Sequence, residues 1–181
     1  TLEQLDTELE SLLNFSIKLL GVFGFNDIEA DLSTKPSKAI GDEQIWSKST
    51  ESLKQSLISK NIPYKIASGE GAFYGPKIDL HVKDAIGRRW QLTTIQVDFA
   101  QPENFDLNYV NSDNEKVRPV MIHRALLGSI ERFTGILIEH YNGNLPGWLA
   151  PDQIVILTLS DNAFDNSEYI RKKLSKFRII N

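Results

Sequence analysis

A chain of 181 residues with 41% hydrophobic and 24% charged residues is ordinary globular material, enough for one sizeable domain or one plus part of a second. The net charge of −4 gives no basic field for gripping nucleic acid non-specifically. Cysteine is absent, which excludes a disulfide framework and a thiolate zinc site within the chain and fits a reducing compartment, expected to be the cytoplasm. No apolar run approaches the ~20 residues that span a bilayer, so no membrane association is expected. Thr1 opens in helical text without a signal-peptide pattern and the chain stops at FRIIN, so both ends read as cut.

Leu5, Leu9, Leu12, Leu19 and Phe23 recur at helical spacing, predicting a helix from Leu2 to about Val22 with Gly24 just past its end. IEADLS alternates Ile28, Ala30 and Leu32 as a half-buried strand does. Asp42 is a candidate N-cap for a helix running to about Ser59 and carrying Ile45, Trp46, Leu53 and Leu57. IPYKIAS reads as a further short strand. IDLHVKD then sets Ile78, Leu80 and Val82 against Asp79, His81 and Lys83, and RRWQLTTIQVDF returns across a turn at Gly87. FDLNYV and KVRPVMI around NSDNEK predict a second hairpin. Short turns between neighbouring strands imply an α+β fold, an antiparallel sheet with flanking helices. The run YNGNLPGWLAPDQ marks a boundary, giving expected domains at 1–148 and 149–181. Beyond it, QIVILTLS, the polar helix NSEYIRKKLSKF and RII read as the first βαβ unit of a parallel-sheet domain.

Residues 118–141, RPVMIHRALLGSIERFTGILIEHY, read as the strand PVMI running into a helix that begins at His123. Steps of three and four from Arg124 then reach Gly128, Arg132 and Gly135, two arginines separated by a residue without a side chain. A glycine inside a helix costs about 1 kcal/mol relative to alanine. An anion-binding floor is a better reading of this stripe than a solvated face. Gly128 would let a ligand approach the backbone, Ser129 adds a hydroxyl, and arginine suits phosphate oxygens. EGAFYGPK reads either as a glycine-rich turn over a buried aromatic pair or as a functional loop holding Tyr74 and Lys77. Gln91 and Gln96 differ by an odd number, so they face one ligand only if a bulge intervenes near Thr93 and Thr94. His123 has no partner at metal-ligand spacing, since His81 and His140 are the only other histidines.

In order along the chain, GEGAFYGPKIDLHVKD, RRWQLTTIQVDF, RPVMIHRALLGSIERFTGILIEHY and GWLAP resemble the C-terminal half of the catalytic domain of the threonyl-tRNA synthetase family, which is of class II. GFNDIEADLSTKPSKAIG carries the resemblance upstream, so it covers nearly the whole chain. It implies a class II catalytic core followed by the start of an anticodon-binding domain. The activity implied is ligation of threonine to tRNA(Thr) with ATP, through threonyl-adenylate, by a homodimer. GSIERF resembles the third signature motif of the class, which implies that Arg132 meets the terminal phosphates of ATP, with Gly128 and Ser129 against the nucleotide. Lys77 and Tyr74 match positions near the adenylate and the amino acid, Lys77 with a catalytic role beside Arg132. Gln91 and Gln96 match positions facing nucleotide and substrate. His123 matches one of three ligands to a Zn2+ that selects threonine over valine, and Mg2+ is implied with ATP.

Family members usually carry cysteine-glycine or cysteine-alanine where this chain has Leu92 and Thr93, so Thr93 adds bulk beneath the expected nucleotide site. The resemblance further implies that the zinc cysteine, the second zinc histidine and the first two signature motifs lie upstream. The fragment alone is therefore expected to be inactive. Two rivals stand: a non-catalytic binding module built on the same fold, and a class II synthetase for another amino acid such as proline or serine. His123 beside the third motif argues against the second.

Overall fold

Leucine spacing in the first segment and alternation in the next produce a helix laid over a sheet. Helix α1 (Leu5–Val22) turns Leu5, Leu9, Leu13 and Leu20 inward, all at most 2% exposed. Strand β1 (Ile28–Ser33) buries Ile28, Ala30 and Leu32. Helix α2 (Glu43–Ser59) starts where Asp42 accepts a hydrogen bond from Ile45 N–H at 2.8 Å, and it buries Trp46, Leu53 and Leu57. Strand β2 (Tyr64–Ala67) follows. The structure is a computed structural model and describes residues 1–180.

Strands β3 (Lys77–Lys83) and β4 (Arg89–Asp98) form the expected hairpin. A short helix α3 (Gln101–Asn104) and the small hairpin of β5 (Tyr109–Val110) and β6 (Lys116–Val117) lead to β7 (Met121–Ala125). Five strands align in the order β2-β1-β3-β4-β7. Every pairing is antiparallel except β1 with β2, so the sheet is mixed where an antiparallel one was expected. The cause is α2, because a helical crossover returns the chain in the same direction. One face of the sheet, including Ile78, Leu80, Ile95 and Val97, packs under α1 and α2 as the core. Each such aliphatic side chain contributes roughly 1.5–3 kcal/mol by leaving water. The other face is polar, with Asp31, Asp79, Gln91 and Gln96 on it.

The segment 118–141 departs from the expected pattern. His123 and Arg124 belong to β7, and the helix α4 (Ile130–His140) begins only at Ile130. Backbone pairing with the edge of β4, Gln96 opposite His123 and Ile95 opposite Arg124, outweighs helical spacing there. Gly128 has φ +64°, a left-handed conformation that ends the extended run ahead of the helix. Arg124, Gly128 and Arg132 are therefore not a helical stripe.

The chain divides into two compact units, Thr1–Ile136 and Leu137–Asn181. In the second, β8 (Ile154–Val155) and β9 (Ile179–Ile180) pair in parallel across helix α5 (Phe164–Lys173), a βαβ unit. QIVILTLS is strand only where β9 offers a hydrogen-bonding partner. Arg178 ties this unit together, donating to the carbonyls of Trp148, Ala150 and Pro151 at 2.7–3.1 Å. Residue 181, the last of the expected second domain, lies outside the described residues.

Candidate active site

The polar face of the sheet is assembled by one irregularity. Leu80 pairs with Thr93 but His81 pairs with Gln91, so Leu92 is an extra residue in β4. That bulge shifts the alternation and brings Gln91 and Gln96 to one face, the condition under which they could serve one ligand. Leu92 and Thr93 are both buried, at 1% and 0%, on the helix-covered side. The added bulk of Thr93 thus points away from the glutamines, and its hydroxyl donates to the carbonyl of Leu126 at 2.5 Å.

Asp79 is the hub of this face. Its carboxylate is 5% exposed and accepts from Lys77 Nζ at 2.5 Å, Gln91 Nε2 at 2.6 Å and Thr94 Oγ1 at 2.6 Å. A buried carboxylate needs such partners, and in turn it orients them. The Tyr74 hydroxyl donates to Gln96 Oε1 at 3.1 Å. The loop that carries Tyr74 depends on Gly75, because a Cβ there would stand 1.8 Å from the carbonyl oxygen of Val97. Phe73 is exposed and meets the Tyr74 ring edge-on, so EGAFYGPK does not cover a buried aromatic pair.

His123 lies on the same face, opposite Gln96. Its Nε2 is 2.6 Å from Asp98 Oδ2, and Asp98 is 1% exposed. Asp98 Oδ1 accepts from the backbone N–H of Ala100 and Gln101. A carboxylate behind one ring nitrogen is how proteins orient a metal-ligating histidine, which leaves Nδ1 to face a metal. His123 therefore fits one position of a zinc site. Among the described residues no group of three His, Cys, Asp or Glu side chains could hold a metal by itself.

Arg132 sits elsewhere, near the turn end of β4. Its guanidinium carbon lies 5.7 Å from the Trp90 ring centroid. Ser129 accepts from the Arg132 backbone N–H at 3.2 Å and so caps the first turn of α4. Phe133 fixes that turn against Phe23, ring centroids 4.8 Å apart. Arg124 points to the helix-covered side, 4.9 Å over the ring of Phe15. The expected two-arginine floor is thus corrected: the pair is split between a strand and a helix.

The β3–β4 turn is organised by Asp84, which sequence reading passed over. Burial pushes its carboxyl up, but bonds from Trp90 Nε1, Arg88 and the backbone N–H of Arg88 and Ile86 outweigh this and hold it well below the usual carboxylate range. Spacing in the sequence does not single out Asp79 or Asp98 as hubs either. The alternation of IDLHVKD does place Asp79 on the polar face, and that was the available signal.

The structure thus brings Tyr74, Lys77, Gln91, Gln96 and His123 to one sheet face, while Gly128, Ser129 and Arg132 share the β7–α4 junction. Residues 4–141 match the family described as the tRNA synthetase class II core domain (G, H, P, S and T). A threonine–tRNA ligase of Citrifermentans bemidjiense is 51% identical over 174 residues, 96% of this chain and 27% of the relative. The "chloroplastic/mitochondrial 2" threonine–tRNA ligase of Arabidopsis thaliana is 48% identical over 172 residues, 95% of this chain and 26% of the relative. The crystal structure of the RNA binding domain of threonyl-tRNA synthetase from Cryptosporidium parvum Iowa II gives a TM-score of 0.91 at 37% identity, covering 99% of this chain and 45% of that one. The chain spans about a quarter of the length of the curated relatives it matches. No helix among the described residues is long and apolar enough to cross a membrane.

Proposed function

Because the chain belongs to the class II tRNA synthetase core family, we propose that residues 1–148 are the C-terminal part of the catalytic domain of a cytoplasmic threonine–tRNA ligase. Residues 149–181 are then the start of its anticodon-binding domain. The chain is a homologue of threonine–tRNA ligases that covers part of their length. The whole enzyme, a homodimer in this reading, joins the carboxylate of threonine to the α-phosphate of ATP with release of pyrophosphate. It then transfers the threonyl group to the 3′ end of tRNA(Thr).

No covalent enzyme intermediate is required. The residues of this chain act by position and charge. Lys77, fixed by Asp79, presents an ammonium beside the forming adenylate. Gln91 and Gln96 offer amide groups to nucleotide and substrate, Gln96 oriented by Tyr74. Arg132, with Gly128 and Ser129 around it, offsets charge on the departing pyrophosphate, where Mg2+ bound with ATP would supply further positive charge. His123 would hold one coordination position for zinc, the other ligands being supplied from outside this chain. When bound, zinc supplies a Lewis acid that grips the amino and hydroxyl groups of threonine.

The observation that carries this reading is the β4 bulge, which turns Gln91 to the face of Gln96, Lys77 and His123. Threonine-dependent ATP–pyrophosphate exchange by the longer enzyme tests it. Exchange that depends on threonine and falls on substitution of Gln91 or Gln96 supports the reading. A longer protein that binds tRNA yet forms no adenylate would instead be the non-catalytic module.

A further inference from the structure

The geometry points to Trp90, itself held by Asp84, as a positioning residue for Arg132. It fixes the guanidinium over the indole face before any nucleotide arrives. This rests on the reading of Arg132 as the phosphate contact.

The hold begins in the turn. Asp84 Oδ1 accepts from Ile86 N–H at 3.1 Å and Arg88 N–H at 2.8 Å, and Oδ2 from Arg88 Nε at 2.5 Å and Trp90 Nε1 at 2.9 Å. Four donors on one carboxylate leave it a single orientation, and the indole N–H is locked to it. The ring then receives two guanidinium groups, Arg88 at 5.6 Å and Arg132 at 5.7 Å from its centroid. Each is attracted by the ring quadrupole. Asp84 pairs with Arg88 at 2.5 Å and so offsets the charge that this arginine brings to the ring it shares with Arg132. The backbone that bears Arg132 is fixed from the same strand, since Thr93 Oγ1 reaches the carbonyl of Leu126. Ser129 completes the anchorage at the first turn of α4. β4 thus restrains both the arginine head and the segment that delivers it.

A free arginine side chain loses considerable rotamer freedom when it grips a phosphate. One already stacked on a ring loses less on binding, so its contact is stronger. Arg132 is exposed, so the edge of its fork stays open to a ligand.

The test reads the arginine Nε–Hε signals of the 181-residue chain by NMR, with the Arg132 signal assigned by its loss in Arg132→Lys. The indole ring current should displace the Arg132 proton from the free-arginine position. Trp90→Leu should abolish that displacement. Trp90→Phe keeps a ring without the N–H to Asp84, and Asp84→Asn weakens the same link, so both should reduce the displacement. A signal at the free-arginine position in the unaltered chain, or one unmoved by Trp90→Leu, overturns the proposal. A signal moved by Trp90→Leu alone removes Asp84 from it. In the longer enzyme, Trp90→Leu should raise KM for ATP roughly two- to fivefold, the size of an exposed cation–π contact. That rise should vanish in an Arg132→Ala background, whereas an equal effect in both backgrounds would mean Trp90 acts through the fold. If the displacement is present but Arg132→Ala leaves ATP kinetics unchanged, the phosphate role fails and the ring contact stands.

Discussion

Asp98 Oδ2 lies 2.6 Å from His123 Nε2, joining the last residue of β4 to the middle of β7 across the edge of the sheet. In the tautomer that donates from Nε2 to Asp98, Nδ1 presents a lone pair. In the longer enzyme, His123→Ala should lower zinc content and weaken discrimination against valine. Without the metal, the pocket must separate a hydroxyl from a methyl, which apolar pockets do only by about a hundredfold. Asp98→Asn should lower zinc affinity by roughly 10–100-fold while leaving the ligand in place. Metal analysis of both variants beside a melting curve decides. Full zinc with a lowered melting point would assign His123 to packing alone.

Arg132→Ala should abolish most adenylate formation in the longer enzyme while the fold survives, since the side chain is exposed. Losing a charge-assisted contact made in the transition state costs roughly 3 kcal/mol, more than a hundredfold in rate. Pyrophosphate exchange at an unaltered rate rules the role out.

The 181-residue chain by itself should show no threonine-dependent ATP–pyrophosphate exchange. It supplies one expected zinc ligand, His123, and no group of three metal-binding side chains among its described residues. Exchange by purified chain, with host enzyme removed genetically, would mean that the essential groups are all present here.

Gly75→Ala should destabilise the chain and loosen the Tyr74–Gln96 contact. The added Cβ would stand 1.8 Å from the carbonyl oxygen of Val97, which belongs to β4 and cannot give way cheaply. Forced repacking of this kind costs about 1–3 kcal/mol. At this chain length each kcal/mol is worth roughly 2–4 °C in Tm. An unchanged melting curve would show that the loop does not approach β4 so closely.

Asp84→Asn gives a pH signature. The folded carboxyl titrates well below its unfolded value of about 3.9, because its hydrogen bonds outweigh burial. A depressed folded value stabilises the fold fully above the unfolded value, and the benefit declines progressively below it until pH has fallen through the folded value. The stability gap between the unaltered chain and the variant should therefore be level from pH 7 to about 5 and close below about 4. Denaturant melts at several pH values measure it. A gap that widens on acidification contradicts the assignment.

Local text was enough for α1, α2, β1, β2 and the β3–β4 hairpin. Leucines at helical spacing, an aspartate cap and strict alternation around Gly87 each act within one element, so neighbours in sequence carry the information. The candidate residues Tyr74, Lys77, Gln91, Gln96, His123 and Arg132 were also legible one by one, from motif order. Their arrangement was not. Whether His123 starts a helix or sits in β7 depends on the exposed edge of β4, which lies about 25 residues away in sequence. The face shown by Gln91 depends on one extra residue, Leu92, whose place only the pairing with β3 defines. Even the parallel pairing of β1 and β2 follows from α2 crossing between them. Sequence periodicity describes a segment against solvent and core. Strand pairing, bulge position and the buried carboxylates Asp79, Asp84 and Asp98 are decided by partners that meet only once the sheet has formed.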